Sequence, residues 1–308
     1  MTQQKTIGAW GWGGIGLLSL IWGGSFLANR LALEEVGVAT TVAVRVGGAA
    51  VVLWAANLAR GLPVPRDPRL WGMFLLMGIV NNVIPFSLIV WGQRSIESGL
   101  AAILNASTAV MGVLVASLAF RDERLTAQKA VGVAAGFLGV VVVIGPEALL
   151  AFDVTSAAQV AILGASLSYA VAGVLGRRMT QGVSPEVAAA GMLLGSALVM
   201  VPAALWIDGV PGGPWALSTW GALLYLAVMA SAVAYMIFYR LLRSVGAGNT
   251  SLTTLTIAPV AIVLGALVYG EALPWRDYLG FAVLALGLLI LDGRLPVRRR
   301  LPEERPAE

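Results

Sequence analysis

Six stretches of this chain run for more than twenty residues without a charged side chain: Thr6 to Asn29, Leu70 to Gln93, Ser98 to Phe120, Val154 to Gly176, Val187 to Ile207 and Ser244 to Gly270. The hydrocarbon core of a bilayer is about 30 Å thick, and a helix of about 20 apolar residues crosses it. Each run is long enough to do so. Only 12% of the 308 residues are charged and 58% are hydrophobic, with a mean hydropathy of +0.86; soluble domains carry about 25% charged residues. A water-soluble fold of this length could not hide so much apolar surface.

Four less clean runs complete the set. Gly209 to Tyr239 is uncharged but opens with Pro211, Gly212, Gly213 and Pro214, so its helix is expected to begin near Trp215. Val38 to Leu58 carries Arg45, while Ala130 to Gly145 and Tyr278 to Leu291 are shorter. These runs predict an all-α polytopic membrane protein with ten transmembrane helices. The first run is too long for the hydrophobic region of a secretory signal, and nine others follow it, so it is read as a retained span. Glycine, at 37 residues, suits helices that approach closely in lipid.

Cysteine and histidine are absent, which excludes disulfides, thiol chemistry, imidazole proton shuttling and the common zinc sites. No cofactor or metal is expected. The net charge of +4 sits in short loops and a tail without a folded basic face, so nucleic acid is not expected as a partner. The expected partners are the lipid bilayer and a small-molecule substrate; a monomer is compatible with the sequence.

The basic residues orient the spans. With both termini in the cytoplasm, sixteen Lys and Arg fall on the inner side: Lys5, Arg60, Arg66, Arg69, Arg121, Arg124, Lys129, Arg177, Arg178, Arg240, Arg243, and five in the tail beyond residue 293. Arg94 and Arg276 fall outside, and Arg30 and Arg45 lie within or at the end of spans. Positive charge retained on the cytoplasmic face produces this alternation, and a missed or invented helix in the middle would destroy it. The expected location is the cell inner membrane.

The two halves resemble each other at a nearly constant offset. Leu20, Ile21, Trp22 and Arg30 align with Leu167, Ser168, Tyr169 and Arg177; Arg94, Ser95 and Gly99 with Arg243, Ser244 and Gly248; Glu123, Leu125, Gly132 and Gly139 with Glu271, Leu273, Gly280 and Gly287. Each half carries five helices, an odd number, so the second must be inverted relative to the first. The expected units are residues 1–145, residues 146–293, and a disordered basic tail at 294–308. Inverted repeats place their shared interface near mid-membrane, where two similar half-structures can exchange conformations and open a central cavity to each side in turn.

The chain resembles the EamA-type transporters of the drug/metabolite transporter superfamily. The residues that carry the resemblance are Ile21-Trp22-Gly23-Gly24-Ser25-Phe26, Arg45, and the acidic turns Asp122-Glu123-Arg124-Leu125 and Gly270-Glu271-Ala272-Leu273. The likeness is strongest to bacterial exporters of amino acids and related metabolites. It implies a basket of helices around a central cavity, with the fifth and tenth at the periphery and the other eight lining the path. The Asn81-Asn82 pair and the lack of any carboxylate deep in a span depart from the plainest family pattern.

The candidate binding residues are the polar and aromatic groups at matched mid-span positions. Asn82 pairs by offset with Ser231, which Tyr235 follows by one turn; Asn105 pairs with Thr254 and shares a helix face with Thr108; Trp22 pairs with Tyr169. Buried amides need partners, so these positions serve either interhelical hydrogen bonding or substrate contact. The rings serve either as cavity walls or as packing. Pro85 and Pro259 are candidate helix breaks or gating points. Arg45 either snorkels outward or pairs with Glu34 or Glu35, or it anchors a substrate carboxylate. Glu186 reads as a helix-start charge. The absence of a mid-span carboxylate predicts facilitated or potential-assisted movement rather than proton coupling. The leading expectation is an alternating-access exporter of small metabolites, with amino acids, including aromatic or apolar ones, or similar small amphiphiles as substrates; a passive channel and a membrane-embedded enzyme are the alternatives. An enzyme would need a nucleophile, an acid/base pair or a metal cluster facing the bilayer.

Overall fold

The computed structural model describes residues 7–291, apart from 97, 146–149, 151–152, 154–155, 180–182 and 270–273, together with Leu295. Among these the chain is helical, without a strand. The elements are α1 (Ala9–Leu33), α2 (Val38–Ala59), α3 (Pro68–Gly92), α4 (Ser98–Ala119) and α5 (Ala127–Ile144), then α6 (Ala157–Met179), α7 (Pro185–Ile207), α8 (Leu217–Val245), α9 (Ala247–Ser251 and Thr253–Tyr269) and α10 (Trp275–Leu291). Seven helices are long and apolar enough to cross a membrane by length and composition: α1, α2, α3, α6, α7, α8 and the Ala247–Leu264 part of α9. Shorter apolar stretches occupy α4 and α5. Glu271 and the tail segment, both singled out in the sequence, lie outside the described residues.

Short polar residues start the helices where the loops were expected. Asp67 caps α3 by accepting from the Arg69 N–H at 2.9 Å, ahead of Pro68. Ser184 caps α7 from the Val187 N–H at 3.3 Å, ahead of Pro185. Both arrangements satisfy an otherwise orphaned donor while proline occupies a first-turn position that needs none.

Helix pairing follows a regular scheme. α2 packs on α7 and α5 on α10; α4 packs on α6 and α1 on α9; α3 meets α6 and α7, while α8 meets α1 and α2. Exchanging each helix for the one five places along leaves this set of pairs unchanged. Glycine permits the closest of these approaches. A Cβ on Gly287 of α10 would lie 2.4 Å from the backbone nitrogen of Gly136 on α5, and one on Gly78 of α3 would lie 2.5 Å from that of Ser196 on α7. Side chains there would force the backbones apart and forfeit the dispersion contacts that hold helices together in lipid.

Two helices depart from α geometry at matched places. Ile79–Val83 of α3 and Val228–Val233 of α8 are π-helical, 149 residues apart. A π-turn takes up one extra residue and redirects backbone carbonyls out of the α ladder. Neighbouring helices meet these carbonyls: Ser168 Oγ of α6 donates to Val80 O at 2.6 Å, and Trp22 Nε1 of α1 donates to Ala230 O at 3.0 Å. The prolines do not mark the breaks. Pro85 lies two residues past the π segment of α3, and Pro259 lies inside the continuous Thr253–Tyr269 helix, whereas α9 is interrupted earlier, at Leu252. The extra residue of the π-turn relieves the clash that a proline ring would otherwise create with the preceding turn.

Candidate functional site

A cavity of about 100 Å³ lies between the packed helix pairs, large enough for several water molecules. α1, α2, α3, α4, α6, α8 and α9 line it. The resemblance implied eight lining helices, and α7 is the difference. Its alanine- and glycine-rich face, Ala188 to Gly191, is buried against α2 and α3, so it stands one layer behind the cavity.

Much of the lining comes in matched pairs. Trp22 and Tyr169 both face the cavity, as do Phe26 and Gly173, each pair 147 residues apart. Phe86 and Tyr235, Ile89 and Phe238, and Asn105 and Thr254 are pairs 149 apart. Of the sequence-level candidates, Trp22, Asn105, Thr108, Tyr169, Tyr235, Thr254 and Arg45 reach the cavity. Asn82, Ser231, Pro85 and Pro259 do not line it.

Asn82 and Ser231 instead support the groups that do. The Tyr235 hydroxyl donates to Asn82 Oδ1 at 2.6 Å and accepts from Asn81 Nδ2 at 3.0 Å; Asn82 Nδ2 donates to Ser196 Oγ at 2.7 Å. These hydrogen bonds fix the Tyr235 ring against Trp22, with centroids 6.0 Å apart. Ser231 Oγ accepts from Arg45 Nε at 3.0 Å.

Arg45 overturns its most economical sequence reading. It neither snorkels nor pairs with Glu34 or Glu35: its residue is 5% exposed, it lines the cavity, and its guanidinium carbon sits 3.8 Å over the Phe86 ring. Nη2 donates to Ala230 O at 3.4 Å, the carbonyl that also receives the Trp22 indole. The inward phase of α2 places Arg45 among Val42, Val46 and Ala49, all buried. Glu35 is engaged elsewhere, accepting from the Thr219 hydroxyl and from the Ala216 N–H at 2.9 Å. Those two donors hold its carboxyl below the usual range. Among the described residues no carboxylate pairs with Arg45. Its guanidinium has five N–H donors, and the two hydrogen bonds to Ser231 and Ala230 leave others to face the cavity.

Unpaired acceptors also border the space. Asn29 Oδ1, Asn105 Oδ1, Thr108 Oγ1 and Thr253 Oγ1 are buried without a hydrogen-bond partner, and all four residues line the cavity. Sequence reasoning missed Asn29, Phe86 and Phe238. Asn29 adjoins Arg30 at the end of an uncharged run and so looked like a boundary. Phe86 and Phe238 were legible, because they are the offset mates of Tyr235 and Ile89.

Glu123 ties the segment after α4 to α6 and to the start of α9. This residue, part of an acidic turn in the sequence, is 8% exposed and reaches from the first half to the second. Its carboxylate accepts from the N–H groups of Ala247 at 3.0 Å and Gly248 at 2.7 Å, at the start of α9, and is paired with Arg177 of α6. Arg177 also binds Asp122 at 2.5 Å and lies over the Phe120 ring. Gly246 has φ +87°, a left-handed conformation that favours glycine, and it turns the chain so that both amides face the carboxylate. Glu186, as expected, opens a helix; it also pairs with Arg240 of α8 at 2.5 Å.

Apolar helices packed around a polar-spotted interior cavity define a polytopic membrane transporter rather than an enzyme. A model of the EamA-like transporter family matches residues 10–145 and again residues 156–291, and the chain belongs to that family. A probable terminal-alkyne amino-acid exporter of Streptantibioticus cattleyicolor is 26% identical over 92% of this chain and 94% of its own length. The inner membrane transporter YedA of Escherichia coli is 25% identical, over 91% and 89%. A protein of known crystal structure shares the fold with a TM-score of 0.73 at 19% identity, covering 90% of this chain and 95% of that one.

Proposed function

We propose that this protein exports amino acids, including aromatic and apolar ones, across the inner membrane by alternating access. The reading has ten spans, arranged as two inverted five-helix units at 1–145 and 146–293, with both termini and the 294–308 tail in the cytoplasm. The observation that carries it is the cavity: residues at matched positions of both halves line it, and it holds a buried arginine without a carboxylate partner. The family match falling twice on the chain, once in each half, and the exchange-invariant helix pairing support the repeat. The inversion follows from five spans per unit and from the charge distribution. The relative named as an amino-acid exporter supports the substrate class.

Arg45 is the charge anchor for the substrate carboxylate, and Trp22, Tyr169, Phe86 and Phe238 form the walls for an apolar side chain. In this reading the Glu123 tie holds the cytoplasmic side closed and is the contact that must part for substrate to enter from the cell. Counterflow tests the proposal. Proteoliposomes preloaded with unlabelled L-leucine, L-phenylalanine or L-tryptophan should accumulate the labelled form transiently, and the rate should saturate. A passive channel gives no overshoot, and failure with all amino acids offered would remove the substrate assignment.

A further inference from the structure

We infer that the cavity contains a separate site for the substrate's α-ammonium group, built from Asn29 Oδ1, Asn105 Oδ1 and Thr108 Oγ1, so that the protein selects free amino acids over their des-amino analogues. The inference rests on the amino-acid reading above and deepens it. Nothing in that reading requires recognition of the amine, since an arginine and aromatic walls would hold any apolar carboxylate.

The three residues are 3%, 6% and 3% exposed, all line the same cavity, and each carries a buried polar atom without a hydrogen-bond partner. Asn29 Nδ2 donates to Gln93 Oε1 at 3.5 Å, while its Oδ1 has no partner. Asn105 and Thr108 are one turn apart on α4 and share a face, and α1 and α4 both pack on α9. Amide oxygens only accept hydrogen bonds, and a hydroxyl can accept. An ammonium group has three N–H donors and no acceptor, so unpaired acceptors such as these match it in sign.

Among the described residues that line the cavity, Arg45 is the one with a charge. A ligand with an anionic end for Arg45 and a cationic end for the acceptors has no net charge, and it leaves neither set unpaired. A des-amino acid would satisfy Arg45 but strand the acceptors. An amine without a carboxylate would add a second positive charge to a cavity that already holds one. Polar sites built this way reject analogues lacking the hydrogen-bonding group much more strongly than apolar pockets reject a missing methylene. Moving a net-neutral ligand also predicts a transport rate independent of membrane potential.

The test is competition against labelled L-leucine on the purified full-length protein. L-Leucine should displace the label at least about tenfold better than 4-methylpentanoate, which keeps the carboxylate and side chain and lacks the amine. The preference should collapse in Asn105→Leu and Asn29→Leu, near-isosteric changes. Equal displacement by L-leucine and 4-methylpentanoate in the wild type overturns the ammonium site and leaves the export proposal intact. Absence of binding by any of L-leucine, L-phenylalanine and L-tryptophan overturns both. The wild-type comparison needs no variant to fold.

Discussion

A guanidinium held in a membrane bundle with two hydrogen bonds and no carboxylate among the described residues carries a large desolvation cost. Ser231, the Ala230 carbonyl and the face of Phe86 offset part of it. The cost and the function then separate under mutation. Arg45→Met keeps the stem and removes the charge, so thermal stability should hold or rise, by up to about 4 kcal/mol. Counterflow of amino acids should fall about tenfold or more, the loss expected when a charge-assisted hydrogen bond of about 1.5–3 kcal/mol is removed. A variant that lost both stability and transport together would make Arg45 a structural residue. Asn82 is the contrasting case: its carbonyl and amide are taken up by Tyr235 and Ser196, so Asn82→Leu should destabilise the fold rather than alter selectivity.

At the scale of helices, close approach and local unwinding play different parts. α5 and α10 pack on each other through glycines away from the cavity. Gly287→Ala places a methyl 2.4 Å from the Gly136 nitrogen, an overpacking cost of about 1–3 kcal/mol. Detergent melting should register it while substrate preference stays as in the wild type. The π segments act on the cavity directly. In α8 the redirected Ala230 carbonyl receives both Trp22 and Arg45, tying one wall and the charge anchor to a single backbone atom. π-turns in helices recur at functional sites because they expose backbone acceptors that regular helices conceal.

At the scale of the molecule, the Glu123 tie joins the two halves. Glu123→Gln replaces charged acceptors with a neutral one, and each charged hydrogen bond is worth about 1.5–3 kcal/mol. The closed arrangement should therefore lose population. The chain has no cysteine, so a single reporter such as Thr250→Cys, in the cavity lining and 2% exposed, can be read by thiol labelling. Labelling should be slow in the parent and faster in Glu123→Gln; unchanged labelling would mean that the tie does not gate access. Acid should have a related effect through Asp122. The hydrogen bond from Arg177 holds the Asp122 carboxyl below its ordinary 3.8. A carboxyl depressed in this way stabilises the folded contact in full above about 3.8, and that contribution is lost as pH falls through the lower folded value. Labelling, taken relative to a free thiol at the same pH because only the thiolate reacts, should be the same at pH 5 and pH 7 and rise only on further acidification, and Asp122→Asn should remove the Asp122 part of that rise.

Charge-free runs, basic loops and the near-constant offset between Trp22 and Tyr169 or Asn105 and Thr254 made the membrane class, the helix positions and part of the cavity lining readable from the chain alone. Hydrophobic length and charge placement are one-dimensional properties, and the bilayer reads them directly. Tertiary structure decided what depends on helix rotation and on the groups across an interface. Rotation turned Arg45 inward, toward Ser231 and away from Glu35; π-turns moved the breaks off the prolines; Tyr235 and Ser196 claimed Asn82; and the approach of α9 converted Glu123 from a turn residue into a tie between halves. Such outcomes depend on which donor meets which acceptor in three dimensions, a pairing that spacing along one helix does not contain.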